Sequence, residues 1–563
     1  MISTSSIVKS LCILAMTLVF LTACGGSGSN VPALPPPPVP PSAIADSPTA
    51  HTFITDHFSG SQNCSSCHDE LQDASGEDVS IVADWQSTMM ANSARDPLWR
   101  AKVASEVKRN PALQAQIETT CGRCHVPMAN VEAEFANVSA TLFGDDGLLH
   151  PDNPLFDAAN EGVSCTLCHQ IEDSPTLGTD DGFSGQFSIG FDFGIERQLY
   201  GQYDNPVAAP MQNFVAFTPI ASTHISSSGQ CATCHNLSTR VVDTQGNLTD
   251  QLFPEQMVYT EWENSQFEAS DSCQDCHMPK STGDMAIATR PMNGLASRPD
   301  FARHVFVGGN TYMLDILGQN SQELNITATG FDASIAETRS LLSGAVSVTL
   351  ESIARVGDDL DFTVGLTNFS GHKFPTGYPS RRAWLHVTIS DASGAIVFES
   401  GAIDAMGKIT GLESDDNPAG FEPHYEIITS ADQVQSYETI MQNIDGDLTY
   451  TLLEAATYRK DNRLLPAGMD KSQVPSTIYP RGAAIADTDF VGGSDQVHYQ
   501  VSGLVSASYT IEAELNYQTM AYGFGQDLFN DVDEPRVALF KDLDDGARLR
   551  FETVSSDRGG INF

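Results

Sequence analysis

Ten of the chain's twelve cysteines fall into five Cys-x-x-Cys-His motifs, and these carry the plainest chemistry in the sequence. They read Cys64-Ser65-Ser66-Cys67-His68, Cys121-Gly122-Arg123-Cys124-His125, Cys165-Thr166-Leu167-Cys168-His169, Cys231-Ala232-Thr233-Cys234-His235 and Cys273-Gln274-Asp275-Cys276-His277. Two thiols three positions apart can each form a thioether to one haem vinyl group, and the adjoining histidine then turns its imidazole onto the iron. Redox dithiols and zinc sites also use Cys-x-x-Cys. A disulfide framework, however, gives no reason for a histidine after every pair, and zinc sites that combine pairs into fours would leave one pair over. The pattern therefore predicts five covalently attached c-type haems, with His68, His125, His169, His235 and His277 as proximal iron ligands. All five motifs lie between residues 64 and 277. At that density the haems, being large apolar plates, would form much of the local core. Short helices would follow the motifs, and neighbouring irons would lie close enough for electrons to hop between them.

The ligand on the far side of each iron decides carrier against enzyme, because an iron with an open position can bind substrate. His224, just before the fourth motif, and His304, shortly after the fifth, are placed to serve. His372, in Ser370-Gly371-His372-Lys373-Phe374-Pro375, would have to be delivered by a domain lying over the haems. His57, His150 and Met90 are further candidates; Met89 and Met90 sit together in Trp85 to Asn92, and a thioether would raise the potential of its haem. Methionine at helical spacing also fills cores. His51 lies close to linker sequence, and His386, His424 and His498 sit in strand-like sequence that gives them structural roles.

The stretches Trp85 to Val103, Gly162 to Ile171, Tyr259 to Pro279 and Gly371 to Trp384, together with the motifs, resemble bacterial multihaem c-type cytochromes related to the tetrahaem cytochrome c and hydroxylamine oxidoreductase superfamily. The resemblance extends into the C-terminal region and covers most of the mature chain. It implies periplasmic or surface electron transfer, with some relatives acting as nitrogen-oxide enzymes. A Cys-x-x-Cys-Lys motif, which a nitrite reductase of that kind would use at its catalytic haem, does not occur here.

Several segments would have to position these residues. Lys9 and the apolar run Leu11 to Leu21 read as an export signal too short to span a bilayer comfortably. The signal ends in Leu21-Thr22-Ala23-Cys24-Gly25, which resembles a bacterial lipobox and implies cleavage before Cys24 with lipid on that residue. Gly25 after the cysteine fits sorting to the outer membrane, facing periplasm or cell surface. Residues 24–50 are a Gly/Ser/Pro-rich spacer, including Pro35 to Pro38. The haem domain would then occupy 51–344, closing with a helix at Asp332 to Ser343. From Ala345 the pattern changes to period two. Phe362, Val364 and Leu366 alternate with polar residues, as do Ile511, Ala513, Leu515 and Tyr517. Trp384 to Ile389 and Ala395 to Phe398 flank an Asp391-Ala392-Ser393-Gly394 turn. The fold class expected is thus multidomain α+β: a haem-cored, mainly short-helix domain, then an antiparallel β-sandwich of immunoglobulin-like type over 345–563. The acidic turns Asn443 to Asp447 and Asp542 to Gly546 would suit calcium, but neither completes the loop pattern with its closing Glu, which favours ordinary surface turns.

Composition limits the partners. With 29 Lys+Arg against 72 Asp+Glu, the formal charge of −43 repels nucleic acid and favours basic redox partners, or marks adaptation to a salty exterior. Hydrophobic residues at 41% place the chain among globular proteins, and its 563 residues exceed one core. The expected work is electron transfer from one exposed haem to a partner or terminal acceptor. Two alternatives stand beside it: a reductase or oxidase of a small nitrogen or sulfur compound at one five-coordinate haem, and a subunit of a conductive filament.

Overall fold

The structure, a computed structural model, describes residues 51–291, 295–505 and 508–562. The signal, Cys24 and the spacer lie outside these residues. From residue 51 to about 345 the described residues form short helices joined by long irregular segments, and the rest is dominated by strands.

All five motifs lie in helices: Ser61–His68, Gln114–His125, Cys165–Cys168, Ser228–His235 and Cys273–His277. Helices thus carry the motifs instead of following them; four of the five end on the motif histidine and the fifth, Cys165–Cys168, one residue before it. One helical turn brings positions i and i+3 onto the same face, so both sulfurs of a motif point the same way. The Cys273–His277 helix begins with a capping box in which Ser272 accepts from the Asp275 amide and the Asp275 side chain accepts from the Ser272 amide. The longer helix Pro97–Arg109 is capped by Asp96, which accepts from the Leu98 and Trp99 amides, and it has proline at its start and Lys108 and Arg109 in its last turn.

The C-terminal region packs two sheets face to face. In one, the strand order is Thr457–Asp461, Ser436–Gln442, Arg382–Asp391, Ser508–Gln518, Glu552–Asn562, with Ile396–Ser400 also paired to Arg382–Asp391. The other runs Val346–Val356, Asp359–Asn368, Ser494–Val501, Ile427–Ile428. All pairings are antiparallel except the last, where His498 and Tyr499 run parallel to Ile427 and Ile428. Between the sheets, Val364, Leu366, Leu385, Val387, Val497, Tyr499, Ile511 and Leu515 are buried, the inward half of the period-two pattern.

Two helices absent from the sequence expectation, Tyr522–Phe529 and Pro535–Asp545, interrupt the strands. Asp542 to Asp545 therefore end a helix and form no open acidic turn. Leu528, Val537, Phe540 and Leu543 join Leu98, Ala101, Leu317 and Phe331 in one core, so the C-terminal helices return to the N-terminal region. Arg109 bridges Asp527 at 2.9 Å and Asp531 at 2.7 Å across the same seam. The described residues belong to one compact unit. None of their helices is long and apolar enough to cross a membrane.

Candidate haem-binding cavity

One branched cavity of about 1660 Å³ runs through the molecule, and its wall contains all ten motif cysteines and all five motif histidines. None of these cysteines is in a disulfide. Sulfurs of different motifs come into contact in three places: Cys64 with Cys165, Cys124 with Cys234, and Cys231 with Cys273. The first motif is thus the neighbour of the third, and the fourth touches both the second and the fifth. Burial pushes the Cys168 thiol up to about 12, whereas in each contacting pair one sulfur is stabilised by the other, and Cys273 beside Cys231 is held down at about 7.

The imidazoles are fixed by main-chain carbonyls. The Nδ1 of His68 lies 2.7 Å from the Ile287 oxygen, that of His125 3.2 Å from Ser93, that of His169 2.6 Å from Tyr200 and that of His277 2.5 Å from Val307. A carbonyl only accepts, so each Nδ1 must donate, and the proton is thereby excluded from Nε2. Desolvation holds His125 and His235 down to about 4 and lowers His68, His169 and His277 as well. These rings are therefore neutral at neutral pH, and the four held by carbonyls have a bare Nε2 lone pair available for a metal. Trp99 stacks on His125 at 4.5 Å and 6°.

Two further imidazoles face motif histidines. His304 stands 6.3 Å from His169, centroid to centroid, and His372 stands 6.2 Å from His277, with ring planes 24° and 13° apart. Two metal–nitrogen bonds of about 2 Å each, plus the radii of two rings, place coaxial imidazoles on one metal about 6 Å apart. Each pair leaves room for an iron between its rings. Burial keeps these rings neutral too, at about 3 for His304 and about 4 for His372.

His372 is held from the sandwich. Its segment leaves the strand Asp359–Asn368, and its Nδ1 donates to the Lys373 carbonyl at 2.9 Å. Lys373 is fully buried and pairs with Asp461 at 2.7 Å; Arg463 joins Asp461 at 2.8 Å and Glu261 at 3.0 Å. Glu261 also accepts from the Lys373 amide, clamping the segment to the helix Val258–Glu263. Gly371 packs so closely that a Cβ there would stand 3.3 Å from the Trp262 ring.

The remaining candidates lie otherwise. His224 is off the cavity wall, with Nε2 at 2.8 Å from the Ile171 carbonyl and Nδ1 at 2.7 Å from the Ser222 hydroxyl, so both ring nitrogens are engaged. His57 is buried off the wall, with Nδ1 3.0 Å from Glu132, its ring stacked on Phe135, and Nε2 unpartnered. His150 accepts from the Asp152 amide at 3.3 Å near the surface, and His51 pairs with Glu161 at 2.6 Å. Met89 and Met90 both line the cavity. The turn at Asn443 closes on itself: its Oδ1 accepts from the Asp445 and Asp447 amides at 3.0 Å. Among the described residues, that turn and the helix end at Asp542 form no cluster of metal ligands.

Sequence reasoning passed over a buried polar group on the same wall. Lys102 and Glu106 pair at 3.1 Å in the helix Pro97–Arg109, and Glu255 is held up at about 7 by burial and by Glu106 nearby. A lysine and a glutamate four apart on a helix otherwise rich in buried positions were the available signal. The carbonyl acceptors had none, because any residue type supplies a carbonyl.

The donor set fits c-type haem: paired unoxidised thiols, an adjoining neutral imidazole with its lone pair exposed, and a largely apolar wall between them. A solved structure similar to this chain is a penta-heme cytochrome c552 from Thermochromatium tepidum, 15% identical, with 90% of this chain and 99% of that one covered and a TM-score of 0.49. No protein-family model matches the chain, and no curated protein matches it.

Proposed function

We propose that this chain is an electron-carrying c-type cytochrome with one haem on each of its five motifs. Cys64, Cys67, Cys121, Cys124, Cys165, Cys168, Cys231, Cys234, Cys273 and Cys276 would hold the porphyrins, and the five motif histidines would hold the irons. Haem iron bound in this way exchanges single electrons. The observation that carries the reading is the commitment of four motif histidines to Nδ1 donation, each leaving Nε2 bare in one shared apolar cavity. His304 and His372 would take the far sides of the irons on His169 and His277. The sulfur contacts make the fourth motif the junction between the second and the fifth, and pair the first with the third. Cys24 would anchor the mature chain by lipid to the outer membrane, and the negative charge would favour basic redox partners.

The test is maturation in a host able to ligate haem, followed by intact mass and pyridine haemochrome titration. Five haems per chain are expected; a colourless product, or one whose mass is polypeptide and lipid alone, overturns the proposal.

One observation favours a second reading for part of the site. Among the described residues no other imidazole faces His68, His125 or His235 as His304 and His372 face theirs. A small nitrogen or sulfur compound could then bind on one of these three, with Lys102, Glu106 and Glu255 supplying protons nearby. Electron paramagnetic resonance with added cyanide separates the readings: high-spin signals that cyanide converts favour the enzyme, and five low-spin irons indifferent to cyanide exclude it.

A further inference from the structure

The sandwich carries a second cluster of ligand-type side chains that has no part in the cavity. Glu426 precedes the short strand Ile427–Ile428, while Asp487 and Asp489 lie in the loop leading into the strand Ser494–Val501. The carboxylates of Asp487 and Asp489 are in contact with each other, and those of Asp487 and Glu426 likewise. Among the described residues, no lysine or arginine lies within ion-pair distance of these groups or of Asp495. Lys471 is near but donates to the Ala484 and Asp487 carbonyls. Carboxylates so placed cannot all stay ionised without a cation or shared protons.

A separate observation points to a cation. Asp495 is fully buried, and its Oδ1 has no hydrogen-bond partner, although Oδ2 accepts from Tyr437 at 2.6 Å. It offers a ligand atom within 4.8 Å of those of Asp487 and His424. Oδ1 of Asp489 is likewise buried and unpartnered.

The kind of cation follows from His424. Its Nδ1 faces two amide donors, Gln435 Nε2 at 2.9 Å and Asn462 Nδ2 at 3.0 Å. Both amides are oriented by main-chain amides, since Gln435 Oε1 accepts from Tyr425 and Asn462 Oδ1 from Glu438. Nδ1 therefore accepts, Nε2 carries the proton, and it donates to Asp487 at 2.8 Å. A metal-bound histidine needs the reverse arrangement, its second nitrogen donating outward. His424 is a positioning residue for Asp487; beside the carboxylate oxygens, His498 offers one nitrogen near Glu426 and Asp489, and a set dominated by oxygens selects a hard cation.

We propose that Glu426, Asp487 and Asp489, with Asp495 behind them, bind a calcium ion that ties the 486–493 loop to the strand edge at Ile427. Water would complete the shell on the solvent side, where Glu426 is half exposed.

The full-length protein, stripped with chelator and titrated with calcium chloride by calorimetry, is expected to show one-site binding and a rise in its thermal midpoint. The single variant Glu426→Gln, at a half-exposed position that leaves the fold intact, should bind about tenfold more weakly or worse. In Asp489→Asn binding should vanish, while the calcium-free protein melts higher than its calcium-free parent because a repelling charge is gone. Absence of heat and of any midpoint shift at millimolar calcium overturns the proposal and leaves shared protons as the means of neutralisation. Zinc binding without calcium binding also overturns it, with His498, 3.8 Å from Glu426, as the ligand missed.

Discussion

His68, His125, His169 and His277 each donate to a carbonyl, and for His68 that carbonyl lies 219 positions along the chain. The motif spacing made the imidazoles legible in the sequence, but the atoms that set their tautomers belong to the main chain and leave no trace in side-chain identity. His304 and His372 were legible only as histidines at plausible distances from a motif; their pairing with His169 and His277 needed the fold. If the pairs sandwich irons, His304→Ala and His372→Ala should each convert one low-spin signal to high-spin with haem content unchanged. Two unchanged spectra would refute the pairing. Glu255 offers a test of a different kind. Burial and Glu106 raise it from 4.5 to about 7, so the folded chain retains a proton that the unfolded chain releases. Its contribution to stability is full below pH 4.5, falls as pH rises toward 7, and is flat above. At pH 8 Glu255→Gln should therefore gain up to about 3 kcal/mol relative to the parent compared with pH 4.5, read from urea midpoints at the two pH values.

Among the elements, the strands were the most readable. Phe362, Val364 and Leu366 mark the buried face of Asp359–Asn368, as Ile511, Ala513 and Leu515 mark that of Ser508–Gln518. The helix Phe331–Ser343 begins one residue before the expected Asp332. The helix Pro535–Asp545 was hidden because Val537, Phe540 and Leu543 give only three apolar turns among acids, and its last turn has the composition of a loop. The network clamping the His372 segment was equally hidden, since Lys373, Asp461, Arg463 and Glu261 come from three distant parts of the chain. Removing one member leaves buried charges unpaired, so Asp461→Asn should cost about 3–5 kcal/mol in thermal or denaturant unfolding. It should also perturb the His277 iron selectively if His372 is its second ligand; loss of stability with that iron untouched would separate the clamp from the site.

For the molecule as a whole, the change of pattern at Ala345 was visible, but the return of the last helices to the first was not. Ser105 donates to Asp531 from 426 residues away at 2.7 Å, a contact no composition shift announces. The charge of −43 should govern encounters. Reduction by the hexaammineruthenium cation is expected to slow with added salt and oxidation by ferricyanide to quicken, both followed by stopped flow. Equal insensitivity to salt in both would show that electrons leave through a neutral patch. The three sulfur contacts between motifs have a consequence for assembly. A thiolate beside a second thiol needs only an oxidant that removes two electrons for the pair to become a disulfide. The folded chain thus holds Cys64 against Cys165, Cys124 against Cys234 and Cys231 against Cys273 as ready-made crosslinks. If the motifs take porphyrin as proposed, attachment has to precede oxidation of these pairs, and a chain oxidised first would need a reductant before its motifs could be filled.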